Sequence, residues 1–356
     1  MAMGFTITPD GWNKSIDVTA SSRILSSLGR NQIQLSGTGD NVATSVPLER
    51  PSTGGTYLCI PNKAVYVQPA SATGIPNVNI LRSASVSGST LTIRSYQYYP
   101  NVPNTFDINS FEVPTAQPQT YGIAMYDSTD FCTISDVSRF GYVTYRAVID
   151  INGAWTLPAS IPNRDSCVVF ARWENGSTPL YYDRATYQIR TYSAFGSTDG
   201  AAMGGLVSGI AIVVVSTGVT PPVPSSGYGT LIRNAQGVIT FSSAWPPVIW
   251  RGGMFNFPFY LDNSTGSPAK VQWNAAAGNV ALPMVPLGSY GFMCGDYASV
   301  ETYKKRPVCY SGLLMSGNSV STYRAMPAGS RVAYEYSPVR AQMGVSVPCI
   351  DMADYF

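Results

Sequence analysis

Short apolar runs, alternating or β-branched, recur along the chain and are cut by Gly, Pro, Asn and Ser. Examples are TYLCIP (56–61), KAVYVQP (63–69), STLTIRSYQYY (89–99), GYVTYRAVIDI (141–151), SCVVFARW (166–173), ATYQIRTYS (185–193), AIVVVST (211–217) and RVAYEYSP (331–338). A period of two is the signature of half-buried strands, whereas no long stretch shows the 3.6-residue period of a helix. The expected fold is all-β, with very little helix. The most apolar run, GGLVSGIAIVVVSTGV (204–219), is shorter than a membrane-spanning helix needs, and its centre is β-branched. It reads as a buried strand, and no membrane span is expected.

The stretch YGTLIRNAQGVITFSSAW (228–245) has two apolar arms around Asn-Ala-Gln-Gly, which predicts a hairpin. Two further stretches align with it, GFTITPDGWNKSIDVTASSR (4–23) and YGIAMYDSTDFCTISDVSRF (121–140). Setting Gly4, Gly122 and Gly229 together brings Ile16, Ile134 and Phe241 to one position, each followed by Asp or Ser. Gly11 and Gly237 suit a type I turn that ends in a left-handed residue, and Asp130 stands where Gly237 stands. Pro-rich connectors precede the second and third copies. Because Pro is disfavoured in central strands, these mark junctions. The chain is therefore expected to hold three tandem units, sandwich-like or barrel-like: residues 1–120, 121–227 and 228–356.

Composition narrows the chemistry. Charged residues make up only 12% of the 356 residues, about half the usual share of roughly 25%, so Ser, Thr, Asn, Gly and Tyr must build the surface. Net charge is +2, and the longest basic run is Lys304-Lys305-Arg306, too little for a nucleic-acid footprint. The absence of His removes every Ser-His-Asp or Cys-His arrangement from this chain. The six Cys (59, 132, 167, 294, 309 and 349) show no metal-ligand spacing and read as small buried hydrophobes, with disulfides left open. The first residues, MAMGFTITPDGWNK, do not resemble a secretory signal. No cofactor and no metal is expected; Asp262-Asn-Ser-Thr-Gly266 lacks the acidic count of a calcium loop.

The repeated stretch resembles minor, tail-tip or fibre-associated proteins of tailed bacteriophages. The resemblance rests on Tyr228-Gly229, Asn234, Gly237 and Phe241-Ser242. It is echoed by Tyr121-Gly122, Asp127 and Ile134-Ser135, and by Gly4-Phe5, Asp10-Gly11 and Ile16-Asp17. It implies a structural, non-enzymatic virion protein, made in the host cytoplasm and exposed on the tail. The partners it implies are other tail proteins and, by analogy with threefold tail parts, two further copies of the chain as a homotrimer. An adhesin for a host glycan or pilus is the alternative, and a polysaccharide-degrading enzyme ranks last.

Candidate contact residues are large aromatics, which give rigid area with a polar handle. Trp173, Tyr181 and Tyr182 group in the second unit, and Tyr303 lies in the third. Trp245 and Trp250 flank Pro-Pro-Val-Ile. Each fits core packing, a contact between units or subunits, or a receptor contact. Glu174 beside Trp173, with Asp183 nearby, is the only carboxylate pair singled out for glycoside chemistry; its plainer reading is a solvated turn.

Overall fold

A computed structural model describes residues 4–19, 23–35, 41–49, 51–52, 54–68, 77–97, 104–114, 122–126, 131–135, 139–197, 200–225, 229–234, 236–262, 273–294, 305–333 and 339–356. Strands dominate these, and no helix reaches seven residues. One 3-10 turn, Met352–Asp354, is assigned among the described residues.

A hairpin, β1 (Gly4–Ile7) and β2 (Ile16–Thr19), opens the chain and leads through β3 (Arg23–Ile24) into seven strands. These are β4 (Ser26–Leu35), β5 (Val42–Pro47), β6 (Thr56–Lys63), β7 (Val65–Gln68), β8 (Asn77–Ser87), β9 (Thr90–Gln97) and β10 (Asn104–Val113). They form two antiparallel sheets, ordered β4-β10-β6 and β5-β9-β8-β7. Alternation makes this a sandwich: Leu91 and Ile93 of β9 and Phe106 and Ile108 of β10 point into one shared core, while their neighbours point away.

A second hairpin, β11 (Gly122–Tyr126) and β12 (Phe131–Ser135), precedes seven further strands in the same order, except that none corresponds to β7 and one is added beside the second sheet. The strands are β13 (Tyr142–Asn152), β14 (Ala154–Thr156), β15 (Val168–Arg172), β16 (Asn175–Asp183), β17 (Gln188–Ser197), β18 (Gly200–Met203) and β19 (Leu206–Ser216). Their sheets run β13-β19-β15 and β14-β17-β16, with β18 beside β17.

The third hairpin, β20 (Leu231–Arg233) and β21 (Ile239–Ser242), leads into β22 (Ile249–Trp250), β23 (Met254–Asn256), β24 (Tyr260–Asp262), β25 (Asn274–Ala277), β26 (Pro283–Pro286) and β27 (Gly291–Cys294). It continues through β28 (Lys305–Ser316), β29 (Ser319–Ala333), β30 (Arg340–Gln342), β31 (Ser346–Pro348) and β32 (Ile350–Asp351). Here β23 pairs β31 while β32, two residues further on, pairs β26. The facing sheet contains β25-β29-β28 with β27 against β28. The order of the first sandwich therefore recurs in the third, with its last strand broken into two pieces.

Each three-stranded sheet is buried on both faces. In β19, Ile210, Ile212 and Val214 face one core that is continuous through all three sandwiches, and Ala211, Val213 and Val215 face a second core that is likewise common to all three. Leu58, Ile60, Phe111 and Val113 from the first sandwich enter that central core, as do Val168 and Phe170 from the second and Met284 and Ile350 from the third. Two-sided burial explains why 210–215 is apolar without interruption, where a strand with one wet face would alternate.

One expectation changes. No sheet closes into a barrel, so the barrel-like alternative is set aside. Hydrogen bonding also runs across residue 227: β15 pairs β26 at Phe170↔Pro286 and Ala171↔Val285, and β16 pairs β28 at Leu180↔Leu313. The first segment joins the third through a parallel bridge, Lys63↔Ser289. The segments are packed together, not strung out.

Candidate functional site

The three opening hairpins carry their apolar pairs in register. Ile7 faces Ile16 in the first and Ile232 faces Phe241 in the third. All four side chains are buried in the central core. In the second hairpin the facing pair is Ile123 and Ile134.

The two described turns differ. In the third hairpin the Gly237 amide donates to Asn234 O at 2.9 Å, and Gly237 is left-handed at φ +77°, as a type I turn with a terminal Gly requires. The Asn234 side chain accepts from the Gln236 and Val238 amides, both at 3.0 Å. In the first hairpin the closing bond runs from Trp12 N to Pro9 O at 3.1 Å, so Gly11 (φ +73°) is the third residue of its turn, not the fourth. That is type II chemistry, and it corrects the type I reading of Thr8–Gly11. Asp130 lies outside the described residues.

Beyond each hairpin the chain enters a closed ring. Its members are Leu25, Gly141 and Val248, each six residues past the last residue of its hairpin: Thr19, Ser135 and Ser242. Gly141 N donates to Leu25 O (3.1 Å), Val248 N to Gly141 O (2.8 Å) and Leu25 N to Val248 O (3.1 Å). The flanking antiparallel pairs follow the same cycle: Ser26 with Phe140, Tyr142 with Pro247, and Ile249 with Ile24. Three short strand edges thus satisfy one another with none left over. Gly141 is needed for close approach, because a Cβ there would lie 2.9 Å from Val215 Cγ1 and 3.0 Å from Val248 Cγ1.

Aromatic side chains surround the ring. Phe241, Phe140, Tyr142 and Trp245 form a chain of contacts with centroids 6.1, 6.4 and 6.2 Å apart. The Tyr142 hydroxyl donates to Thr240 O at 2.9 Å, and burial pushes its pKa far above the ordinary phenol value. The Tyr355 hydroxyl accepts from Ile249 N at 2.8 Å, and Trp250 Nε1 donates to Gly253 O at 2.7 Å. The Arg146 guanidinium stacks 3.8 Å from the Trp12 ring centroid and donates to Asn13 Oδ1, fastening the first hairpin to β13. The Asp10 carboxylate accepts from Ser225 N at 2.6 Å, fastening the same hairpin to the connector before the third. Every interaction here holds parts of the chain together.

Residues 4–337 match the model of DUF6453, a family of unknown function. The chain belongs to that family. No curated protein and no solved structure matches it.

The DUF6453 chain places the remaining sequence candidates mostly inside. Trp173, Tyr181, Tyr182 and Trp250 are 1–8% exposed, so none offers its ring to a receptor in this fold, and Trp245 is half-buried. The reason is strand geometry: each sits on a face that another sheet or the central core covers. Tyr181 stacks on Tyr310 (6.4 Å, 28°), a contact between the second and third sandwiches. Tyr303 lies outside the described residues, as does most of the Asp262–Gly266 loop. Asp183 is held by Arg190 (3.0 Å) and by Thr186 (2.8 Å). Glu174 is held by Arg172 Nη2 (2.8 Å) and by the Gly317 amide (3.0 Å).

Among the described residues no group of three His, Cys, Asp or Glu is placed to hold a metal ion. Cys59, Cys167, Cys294, Cys309 and Cys349 are free and buried. Burial pushes the Cys59 and Cys349 thiols up to about 12, away from the reactive thiolate. Sequence reasoning missed Leu25, Gly141 and Val248 altogether. The signal was their constant six-residue offset from the hairpins, visible only once the strand ends are known.

Proposed function

We propose that this DUF6453 chain is a structural component of a tailed bacteriophage, at the tail tip or baseplate or in a fibre, and that it works by assembly and not by catalysis. The observation that supports this reading is the ring of Leu25, Gly141 and Val248, which closes three hairpin-led sandwiches about a common core within one chain. Threefold tail parts commonly reach such closure with three chains. This chain supplies three similar sectors alone, so its partners in the tail are other tail proteins and a homotrimer is not required.

The reading is tested on purified particles from the genome that carries the gene. Gold labelling of a tagged chain is expected to mark the tail, and light scattering of the isolated chain is expected to give the mass of one copy. Particles that lack the chain would overturn the tail assignment. A stable trimer would overturn the single-copy reading alone.

A host-directed adhesin remains the second reading, favoured by one exposed indole, that of Trp273. A polysaccharide-degrading enzyme is not favoured, because Glu174 accepts from Arg172 of its own sandwich and from Gly317 N of the third, while Asp183 is held by Arg190 and Thr186.

A further inference from the structure

Of the six Trp residues, Trp273 alone is exposed, at 43%, and the other five are buried or half-buried. Part of the indole is therefore open to a ligand while the rest is held by the protein. Trp273 immediately precedes β25, beside the tip of the β28–β29 hairpin. The six-membered edge of its ring lies along Gly176, where a Cβ would be 3.6 Å from Cη2 and 3.7 Å from Ser316 Cβ. The side chain is therefore seated between two sandwiches.

What surrounds it is polar. The Glu174 side chain is 62% exposed, yet both its oxygens are fixed, one by Arg172 Nη2 at 2.8 Å and one by Gly317 N at 3.0 Å. Arg172 is itself buried and anchored by Asn318 Oδ1 at 3.1 Å. Asn175 accepts from the Ser177 and Thr178 amides, which sets the bend beside the indole. A protein interface would centre on apolar residues with charge kept to the rim. The indole meets Gly176 and Ser316 while Glu174, two residues before Gly176, meets Gly317, so plate and carboxylate flank one seam, which suits a ligand with one C–H face and hydroxyls at its edge.

We propose that Trp273 and Glu174 form a saccharide-binding subsite between the second and third sandwiches. The indole carries the C–H face of a pyranose, and the lone pairs of Glu174 not used by Arg172 and Gly317 accept from ring hydroxyls. No bond is made or broken. The subsite does not depend on where the chain sits in a particle.

Calorimetric titration of the full chain with maltohexaose, cellohexaose, chitohexaose and soluble mannan tests it. At least one probe is expected to bind. Trp273→Ala is expected to weaken that binding about tenfold or more, equal to about 1.4 kcal/mol. Trp273→Phe should keep most of it, and Glu174→Gln should lose several-fold. Trp273→Ala should lower the thermal midpoint by about 2–4 °C at most, because the indole packs on Gly176 yet stays 43% exposed. Failure of all four probes to bind, or binding indifferent to Trp273→Ala, overturns the subsite. Either result leaves the particle labelling untouched, and particles without the chain leave the titration untouched.

Discussion

The first and second sandwiches differ at one sheet edge. In the first, β7 lines the outer side of β8 and completes a four-stranded sheet from local sequence. The second has only Trp173 and Glu174 between β15 and β16, and no strand equivalent to β7. The exposed side of β16 is covered instead by β28 of the third sandwich. β28 is long enough to serve two neighbours: Val308–Tyr310 pair with β27, while Leu313 and Met315 pair with β16. Similar modules can thus be self-contained or interdependent. The choice turns on whether the strand that protects an edge comes from the same module or from the next.

The sharpest way to break the borrowed edge is Gly312→Val. A Cβ at Gly312 would lie 2.5 Å from Leu180 O, a backbone atom that cannot swing away. Urea unfolding should show a loss of about 3 kcal/mol or more. If β16 and β28 were not a true seam, the loss would stay near that of an exposed strand position. Gly141→Ala strikes the ring that all three segments share. Its neighbours are buried side-chain methyl groups and not backbone, so about 1–3 kcal/mol should be lost, with the unfolding transition still single.

Arg184→Ala loosens the first sandwich from the second. Its guanidinium donates to Asn62 Oδ1, Asp165 O and Cys167 O, each at 2.8 Å. About 1–2 kcal/mol should go, and a second transition should begin to separate. Gly88→Ala is the local control. Gly88 sits in the β8–β9 turn at φ +56° with open space around it, so only the backbone penalty of about 1 kcal/mol applies. It should leave the other two sandwiches unaltered.

The smallest effect near neutral pH comes from the thiols. Burial raises Cys59, in the first sandwich, and Cys349, beside the third, from 9.0 to about 12. An acid whose pKa is raised by folding stabilises the fold fully below its unfolded pKa. That contribution is lost as pH climbs from about 9 to about 12. Stability should therefore be flat near neutrality and fall through that alkaline window, as followed by circular dichroism. Thiol labelling under mild urea reports which module opens. In Gly312→Val, Cys167 and Cys349 should label before Cys59, and equal rates would mean that the sandwiches remain one cooperative body.

Much of the local structure was legible in the residues. Alternation in TLTIRS placed β9 and its inward Leu91 and Ile93, and the unbroken run at 210–215 announced a strand without a wet face. Asn234 and Gly237 fixed the turn of the third hairpin, because only certain residues accept its backbone angles. The aromatic candidates were legible as large apolar rings but not as to side. A period of two says that a ring faces one way or the other and leaves open what lies opposite, so Trp173 and Tyr181 could be read as surface until a facing sheet covered them. Trp273 drew no notice in the sequence, since nothing in its neighbours predicts that Gly176 and Ser316 would seat it.

The sequence by itself determined the strands, the three hairpin starts and the lack of any His-based chemistry, because these follow from local periodicity, turn angles and composition. Only the tertiary structure decided that Leu25, Gly141 and Val248 close a ring, that β28 completes the sheet of another sandwich, and that the barrel alternative fails. The physical reason is common to all three. A strand carries the same backbone donors and acceptors whatever its side chains, so its own sequence specifies that an edge must be paired, while the partner is chosen by how the buried faces of the whole chain fit together.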